Sequence, residues 1–279
     1  MNKGKIPFSK MAVHGVLISG VCLTAIPLIY MITTALRPNA KLYEYPPRLF
    51  PDSVTLANFR YILFEQNFGG NFINSIVVAL GTVVLAAFVA STLAFVIARF
   101  EFPGRNLLFS LIMGTMIIPG MVLILPQFEL ITWLGLLNSR IGLILVYVSW
   151  VVPFSTFLMK GFIEDIPHEF DEAVYIDGGS VGTLFRRIVL PLSGPAIITT
   201  CIFNFLTAWE EYPWALTVIN DTEKRTLPIA IAGFFGEHNF TQWGYVFAMS
   251  LLSLIPVVVI FIFLQRFFIS GLSSGAIKG

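Results

Sequence analysis

Six apolar stretches set the limits on what this chain can fold into: 11–36, 72–98, 107–125, 141–159, 196–218 and 245–268. A helix needs about 20 residues to cross a hydrocarbon core of ~30 Å. Within lipid, every backbone N–H and C=O must find a partner inside the protein, so only helices and closed barrels span. No stretch alternates apolar and polar residues as a membrane strand would, which leaves helices. Composition agrees. Hydrophobic residues are 56% of the chain and charged residues 12%, against about 45–50% and 25% in soluble domains. The expected fold is all-α, a polytopic membrane protein with six transmembrane helices.

With six spans, both termini share one side. Lys3, Lys5 and Lys10 precede the first span, as in a signal peptide, but the apolar run is too long and has no small-residue cleavage site. It therefore reads as a retained span. Placing the termini in the cytoplasm puts ten of the 17 Lys and Arg inside, among them Arg99, Arg105, Lys160, Arg186 and Arg187. Short loops rich in Lys and Arg stay inside, which favours that orientation. The longest external loop is 37–70, where Pro38, Pro46, Pro47 and Pro51 break regular structure. It is either a tether or a surface for an extracellular binding protein.

Several function classes find no support. A net charge of +1 gives no sign of a nucleic-acid partner. Cys22 and Cys201 both lie in apolar runs, and His14, His168 and His238 are scattered, so no metal site is expected. The phosphate-cradling pattern G-x-x-x-x-G-K-[ST] is absent: Gly4-Lys5 is followed by Ile6. The chain is thus expected to be no enzyme and to hold no cofactor, with any ATP and Mg bound elsewhere.

The longest polar stretch on the cytoplasmic side, 164–195, holds six of the 16 acidic residues: Glu164, Asp165, Glu169, Asp171, Glu172 and Asp177. It reads as two short helices. Asp165 is placed to cap the first, with Pro167 in its opening turn, and acidic side chains crowd its N-terminus, where the helix dipole favours them. Phe170, Ala173 and Val174 give it a small apolar face. Gly178-Gly179 is expected to stop it, because glycine takes the left-handed conformation without strain. Ser180 is placed to cap the second helix, with Leu184, Ile188 and Phe185 on one face and Pro191 closing it. A capped helix pair between two spans suits docking of a soluble partner.

Glu172-Ala173-Val174, Gly178 six positions after the glutamate, and then Ile188, Leu190 and Pro191 resemble the EAA loop of ABC importer permeases. Val174 stands for the second alanine of that pattern. The longer runs 166–178 and 185–192 are similar to sugar-importer permeases of the maltose-transporter type. So are Arg99 to Arg105, Ile118-Pro119-Gly120, Gly135 to Asn138 and the ending 271–279. The resemblance implies a loop at 161–195 forming a coupling helix that sits in a cleft of an ATPase subunit. On it, Glu172, Ala173, Asp177, Gly178, Ile188, Leu190 and Pro191 carry the coupling to ATP hydrolysis. It also implies the partners: a second permease, two ATPase subunits and an extracytoplasmic solute-binding protein. The location implied is a bacterial or archaeal cytoplasmic (inner) membrane. The segments are then a first span with its external loop, 1–70, a permease core, 71–270, and a cytoplasmic tail, 271–279. By composition that tail is flexible. The resemblance implies that it reaches the ATPase interface.

The fifth stretch, 196–218, is apolar until Asn204 and then carries Trp209, Glu210, Glu211, Tyr212 and Trp214. A single helix from Pro195 puts Glu210 ~22 Å along its axis. A carboxylate at that depth faces a protein interior or a water-filled path. Flat aromatic rings beside a carboxylate and Asn204 suit a carbohydrate, and these six residues are candidates for a substrate pathway. The alternative is an aromatic belt at the outer membrane boundary. In one helix, Trp209 shares a face with Tyr212, and Glu211 with Trp214. Either face could line the path. Glu210 stands where the resembling pattern usually has Asn. The implied function is import of a sugar or oligosaccharide. A polyol or glycerol phosphodiester importer of the same architecture, or an ATP-independent carrier, are the alternatives. A carrier would spread ionisable residues over several spans, whereas here they gather in one loop and one span end.

Overall fold

The structure is a computed structural model. It describes residues 8–38, 50–235 and 242–276, without the side chains of 8–11 and 265–276. Among the described residues all regular structure is helical. Four helices are long and apolar enough to cross a membrane, and two further pairs qualify only if each bent pair is one span. The basic positions Lys3, Lys5, Lys41, Arg48 and Lys278, the prolines 46 and 47, and His238 lie outside the described residues.

The chain divides into two compact units, 1–68 with 231–254, and 69–230 with 255–279. In the first unit, α1 (Phe8–Ala35) ends at the short helix α2 (Ala57–Phe64). A helix end leaves carbonyls without partners, and here a buried side chain takes them up. Asn58 Nδ2 donates to the carbonyls of Ala35 at 2.7 Å and Arg37 at 3.0 Å. The start of α13 (Trp243–Ala276) belongs to this unit, and Tyr245 stacks on Tyr61 with ring centroids 4.4 Å apart.

The second unit is built on α3 (Phe68–Arg99), α6 (Arg140–Glu164) and α10 (Gly194–Glu210). Ala79, Ala86, Ala90 and Ala94 form a fully buried stripe on α3. Small residues let helix backbones approach closely, which replaces the hydrophobic drive that lipid cannot supply. At one end of this unit Ala90, Ala94, Phe95 and Ala98 of α3 share a core with Met159 and Ile163 of α6 and with Leu184 and Val189 of the loop that follows it.

Two expected spans are not single helices. The third breaks at Ile118-Pro119 between α4 (Arg105–Gly114), with its 3-10 extension, and α5 (Ile124–Trp133), and its two arms bend by 96°. Pro119 sits at extended backbone, φ −60° and ψ 126°, and biases Ile118 away from helix as well. The fifth ends at Glu210. Glu211 is extended, with φ −68° and ψ 130°, before Pro213 opens α11 (Pro213–Val218). A proline at N1 begins a helix readily and cannot continue one. The expected single helix over 196–218 is thereby corrected. The last helix, in turn, is longer than composition suggested: the backbone stays helical through Ala276, where a flexible tail was expected.

Candidate functional site

The loop after α6 folds as two short helices, as expected, but its boundaries differ. α6 runs on to Glu164 and Asp165 is its C-cap, so Asp165 does not cap the next helix. α7 (Glu169–Ile176) starts after His168 and carries Glu169, Asp171 and Glu172 in its first turn. Its far end is a Schellman motif. Gly178 N–H donates to the Tyr175 carbonyl at 3.1 Å, and Gly179 N–H to that of Val174 at 2.8 Å. Gly178 has φ +75°, the left-handed conformation expected of it. Gly179 is required for a different reason. A Cβ there would lie 2.6 Å from Val174 Cγ1 and 2.8 Å from the Val174 carbonyl oxygen.

Ser180 caps the second helix, its Oγ accepting from Thr183 N–H at 3.3 Å. This helix is not closed by Pro191. It passes from α8 (Val181–Leu184) through a π-helical turn, Phe185–Val189, into α9 (Leu190–Leu192). Pro191 has no N–H to give the Arg187 carbonyl, and the wide turn lies directly before it. The seven loop candidates fall into two groups. Glu172, Ala173, Asp177, Gly178 and Pro191 are exposed, while Ile188 and Leu190 are half-buried, Ile188 against the core shared with α3 and α6. The outer surface of α7 also presents Phe170, Tyr175 and Ile176, the last 84% exposed. It is an apolar surface edged with acids.

One residue that organises this loop lies outside it, at the head of the Arg99 to Arg105 turn. Arg99, at the last turn of α3, reaches over it. Its Nη2 donates to the Ile166 carbonyl at 2.9 Å, its Nε lies 3.4 Å from Asp171 Oδ2, and its Nη1 is 3.3 Å from His168 Nδ1. The Arg99 side chain is 2% exposed. In sequence it reads as a basic residue at a helix C-terminus, and nothing local pairs it with a partner 67 to 72 positions away. On the same side, Glu164 joins Lys160 at 2.6 Å and Arg105 at 3.6 Å.

The end of the fifth span is a packed hinge. Trp209 is buried, stacked on Phe205 at 5.5 Å and edge-on to Phe72 at 5.6 Å. Trp214 is fully buried near Trp150 at 6.4 Å. Glu211 accepts from Trp214 N–H at 2.7 Å and Ala215 N–H at 2.9 Å, and from the Tyr147 hydroxyl. It therefore caps α11, a role that reading one unbroken helix hid. Asn204 is buried and accepts from Ser155 Oγ at 3.1 Å. Of the six pathway candidates, Glu210 is exposed and Glu211 and Tyr212 are half-buried, with the Glu211 carboxylate taken up by its three donors. The face pairing expected of one helix, Trp209 with Tyr212 and Glu211 with Trp214, does not survive the break. Beside α6 and the bent third span lies a cavity of ≈ 640 Å³, lined among others by Ile112, Thr115, Gln127, Ser149, Trp150 and Pro153. Its volume is in the range of small-molecule sites. Among the described residues no three His, Cys, Asp or Glu side chains gather as a metal site would require.

Residues 83–274 match the model of the family described as binding-protein-dependent transport system inner membrane component. The chain is 32% identical over 256 residues to the diacetylchitobiose uptake system permease protein DasC of Streptomyces coelicolor, covering 91% of each. It is also 32% identical over 269 residues to the trehalose transport system permease protein SugB of Mycobacterium tuberculosis, covering 96% of this chain and 97% of that one. In fold it resembles a chain of a bacterial ABC transporter involved in the import of the acidic polysaccharide alginate. That likeness has a TM-score of 0.81 at 23% identity and covers 95% of this chain and all of the other.

Proposed function

Since the chain belongs to the family of binding-protein-dependent transport system inner membrane components, we propose that it is the permease subunit of an ATP-driven importer for a sugar or oligosaccharide. The observation that carries this reading is the loop surface on α7. It is a short helix, stopped by a Schellman motif, presenting exposed Phe170, Tyr175 and Ile176 among Glu169, Glu172 and Asp177. An apolar centre with an acidic rim suits a cleft on a soluble ATPase subunit. Two such subunits, a second permease and an extracytoplasmic binding protein complete the assembly. ATP and Mg are bound by the partners. The membrane is the cytoplasmic one of a bacterium or archaeon, α4 with α5 crosses it as one bent span, α10 crosses it after the cytoplasmic loop that ends at α9, and both termini lie in the cytoplasm.

ATP closes the ATPase pair, and the docked loop passes that motion to the spans. The state favoured by ATP is then the one whose cavity faces outward, by differential stabilisation of two arrangements. Glu172, Ala173, Asp177, Gly178 and Pro191 supply the docking surface, and Ile188 and Leu190 seat it on the spans. At the fifth-span hinge, Glu210 and Tyr212 are the side chains offered to a sugar. Trp209, Glu211, Trp214 and Asn204 hold them in place.

The sugar assignment draws on the relatives that take up diacetylchitobiose and trehalose. The test is uptake into cells carrying the full transporter, with labelled trehalose, diacetylchitobiose, a polyol and a glycerol phosphodiester offered in turn. ATP-dependent accumulation of a sugar is the expected result. Accumulation of only the polyol or phosphodiester would replace the substrate class, and accumulation without ATP would remove the importer reading.

A further inference from the structure

By chain connection, the loop that carries α7 is tied to two spans, α6 before it and α10 after it. The structure ties it to a third. Arg99 ends α3 and is nearly sealed from solvent beneath the loop, with its three nitrogens spread over different targets. Nη2 holds the Ile166 carbonyl at the entry to α7, Nε faces Asp171 within the helix, and Nη1 faces His168 between them. Asp171 is itself 14% exposed. A charge pair so buried does little net good for stability, but removing one partner strands the other. Its value is in fixing geometry, and a planar guanidinium is suited to that because its donors point in several set directions at once.

An apolar contact on the same helix repeats the tie for the loop's other arm. Phe95, one turn before Arg99, packs on Phe185 in the π-helical turn with ring centroids 4.9 Å apart. Leu184 and Val189 are buried in the same cluster as Ala94 and Ala98 of α3. Both arms of the loop thus rest on the end of one helix that the sequence places more than sixty residues earlier.

We propose that Arg99 is a positioning residue for coupling: it locks α7 to the end of α3, so that α3 moves with the docking loop. The proposal rests on the transport reading given above. Arg99 touches neither ATP nor substrate. It determines which spans feel the motion of α7.

The variants are Arg99→Met, which keeps the stem and removes every donor, and Arg99→Lys, which keeps the charge but not the fork. The first measurement is hydrogen exchange of residues 168–177 in the purified full chain, which needs no partner. The second is labelled trehalose or diacetylchitobiose accumulated per ATP hydrolysed, in proteoliposomes holding the complete complex with its binding protein. Arg99→Met is expected to speed exchange across α7. The complex should still assemble and hydrolyse ATP, and sugar moved per ATP should fall roughly tenfold, within the usual range of coupling between sites. Arg99→Lys should recover only part of that loss. Unchanged exchange, or an unchanged ratio of sugar to ATP, overturns the proposal. So does a loss of uptake and of hydrolysis in equal proportion, which marks a residue that only supports the fold. Failure of the unsubstituted complex to couple uptake to ATP is a separate result and counts against the transport reading itself.

Discussion

Gly178 and Gly179 are adjacent and do different things. Gly178 has open space around its missing Cβ and a φ that side chains resist, whereas Gly179 has backbone and side-chain atoms where a Cβ would go. Gly178→Asn should therefore keep uptake, because asparagine tolerates the left-handed region. Gly178→Asp adds a negative charge at the negative end of the helix dipole and should abolish uptake. Gly179→Ala should disorder the end of α7. Glu172→Lys should also abolish uptake, by reversing charge on the proposed docking surface. Membrane insertion should be intact in all four, measured by the chain recovered in the membrane fraction. Glu211 offers a different test. Glu211→Ala leaves the Trp214 and Ala215 amides and the Tyr147 hydroxyl without their acceptor, so it should lower stability in detergent by about 1–3 kcal/mol. A thermal melt of the purified chain with no shift would show that the hinge is held by its tryptophans alone.

At the scale of elements, Ser180→Ala should cost about 1 kcal/mol and fray the start of α8, seen as faster amide exchange at Thr183. The loop is legible in the sequence because its stops are local chemistry. Ser180 accepts from an amide three residues on, and Gly178 closes a turn with carbonyls of its own helix. Asp165 does not take the expected N-cap position because α6 runs on past the end of its apolar stretch, to Glu164, and claims Asp165 as its own end. The hinge at Glu211 was hidden for a related reason. Apolar content continues through 218, so hydrophobicity alone cannot register a backbone that leaves the helix at Glu211 and Tyr212. Pro213 was the available signal, since proline starts helices more readily than it continues them. Arg99 with Asp171 was out of reach altogether, as a pairing across some seventy positions is fixed by packing and leaves no periodic trace.

For the whole molecule, the count of spans turns on the two bent pairs. If α4 with α5 crosses the membrane, a cysteine at Asn106 and one at Leu134 should react with an impermeant maleimide from opposite faces. Reaction from the same face would make that pair a re-entrant loop and reduce the number of crossings. The first span is the least buried of the four long helices. None of the most apolar window of Ala12–Ala35 is buried, while half of that in Arg140–Glu164 is. A helix buried only at its C-terminal end, where Thr34 and Ala35 are sealed and Tyr30 packs edge-on against Phe247, has less reason to wait for the rest of the chain. On the ribosome, α1 emerges before the other spans. Its apolar surface can therefore settle among lipids without waiting for α3, α6 and α10. Those later helices, with their buried alanines and polar hinge, need one another before they are comfortable in the bilayer. The span that buries least would thus be the one free to enter lipid before α3, α6 and α10 have formed their core.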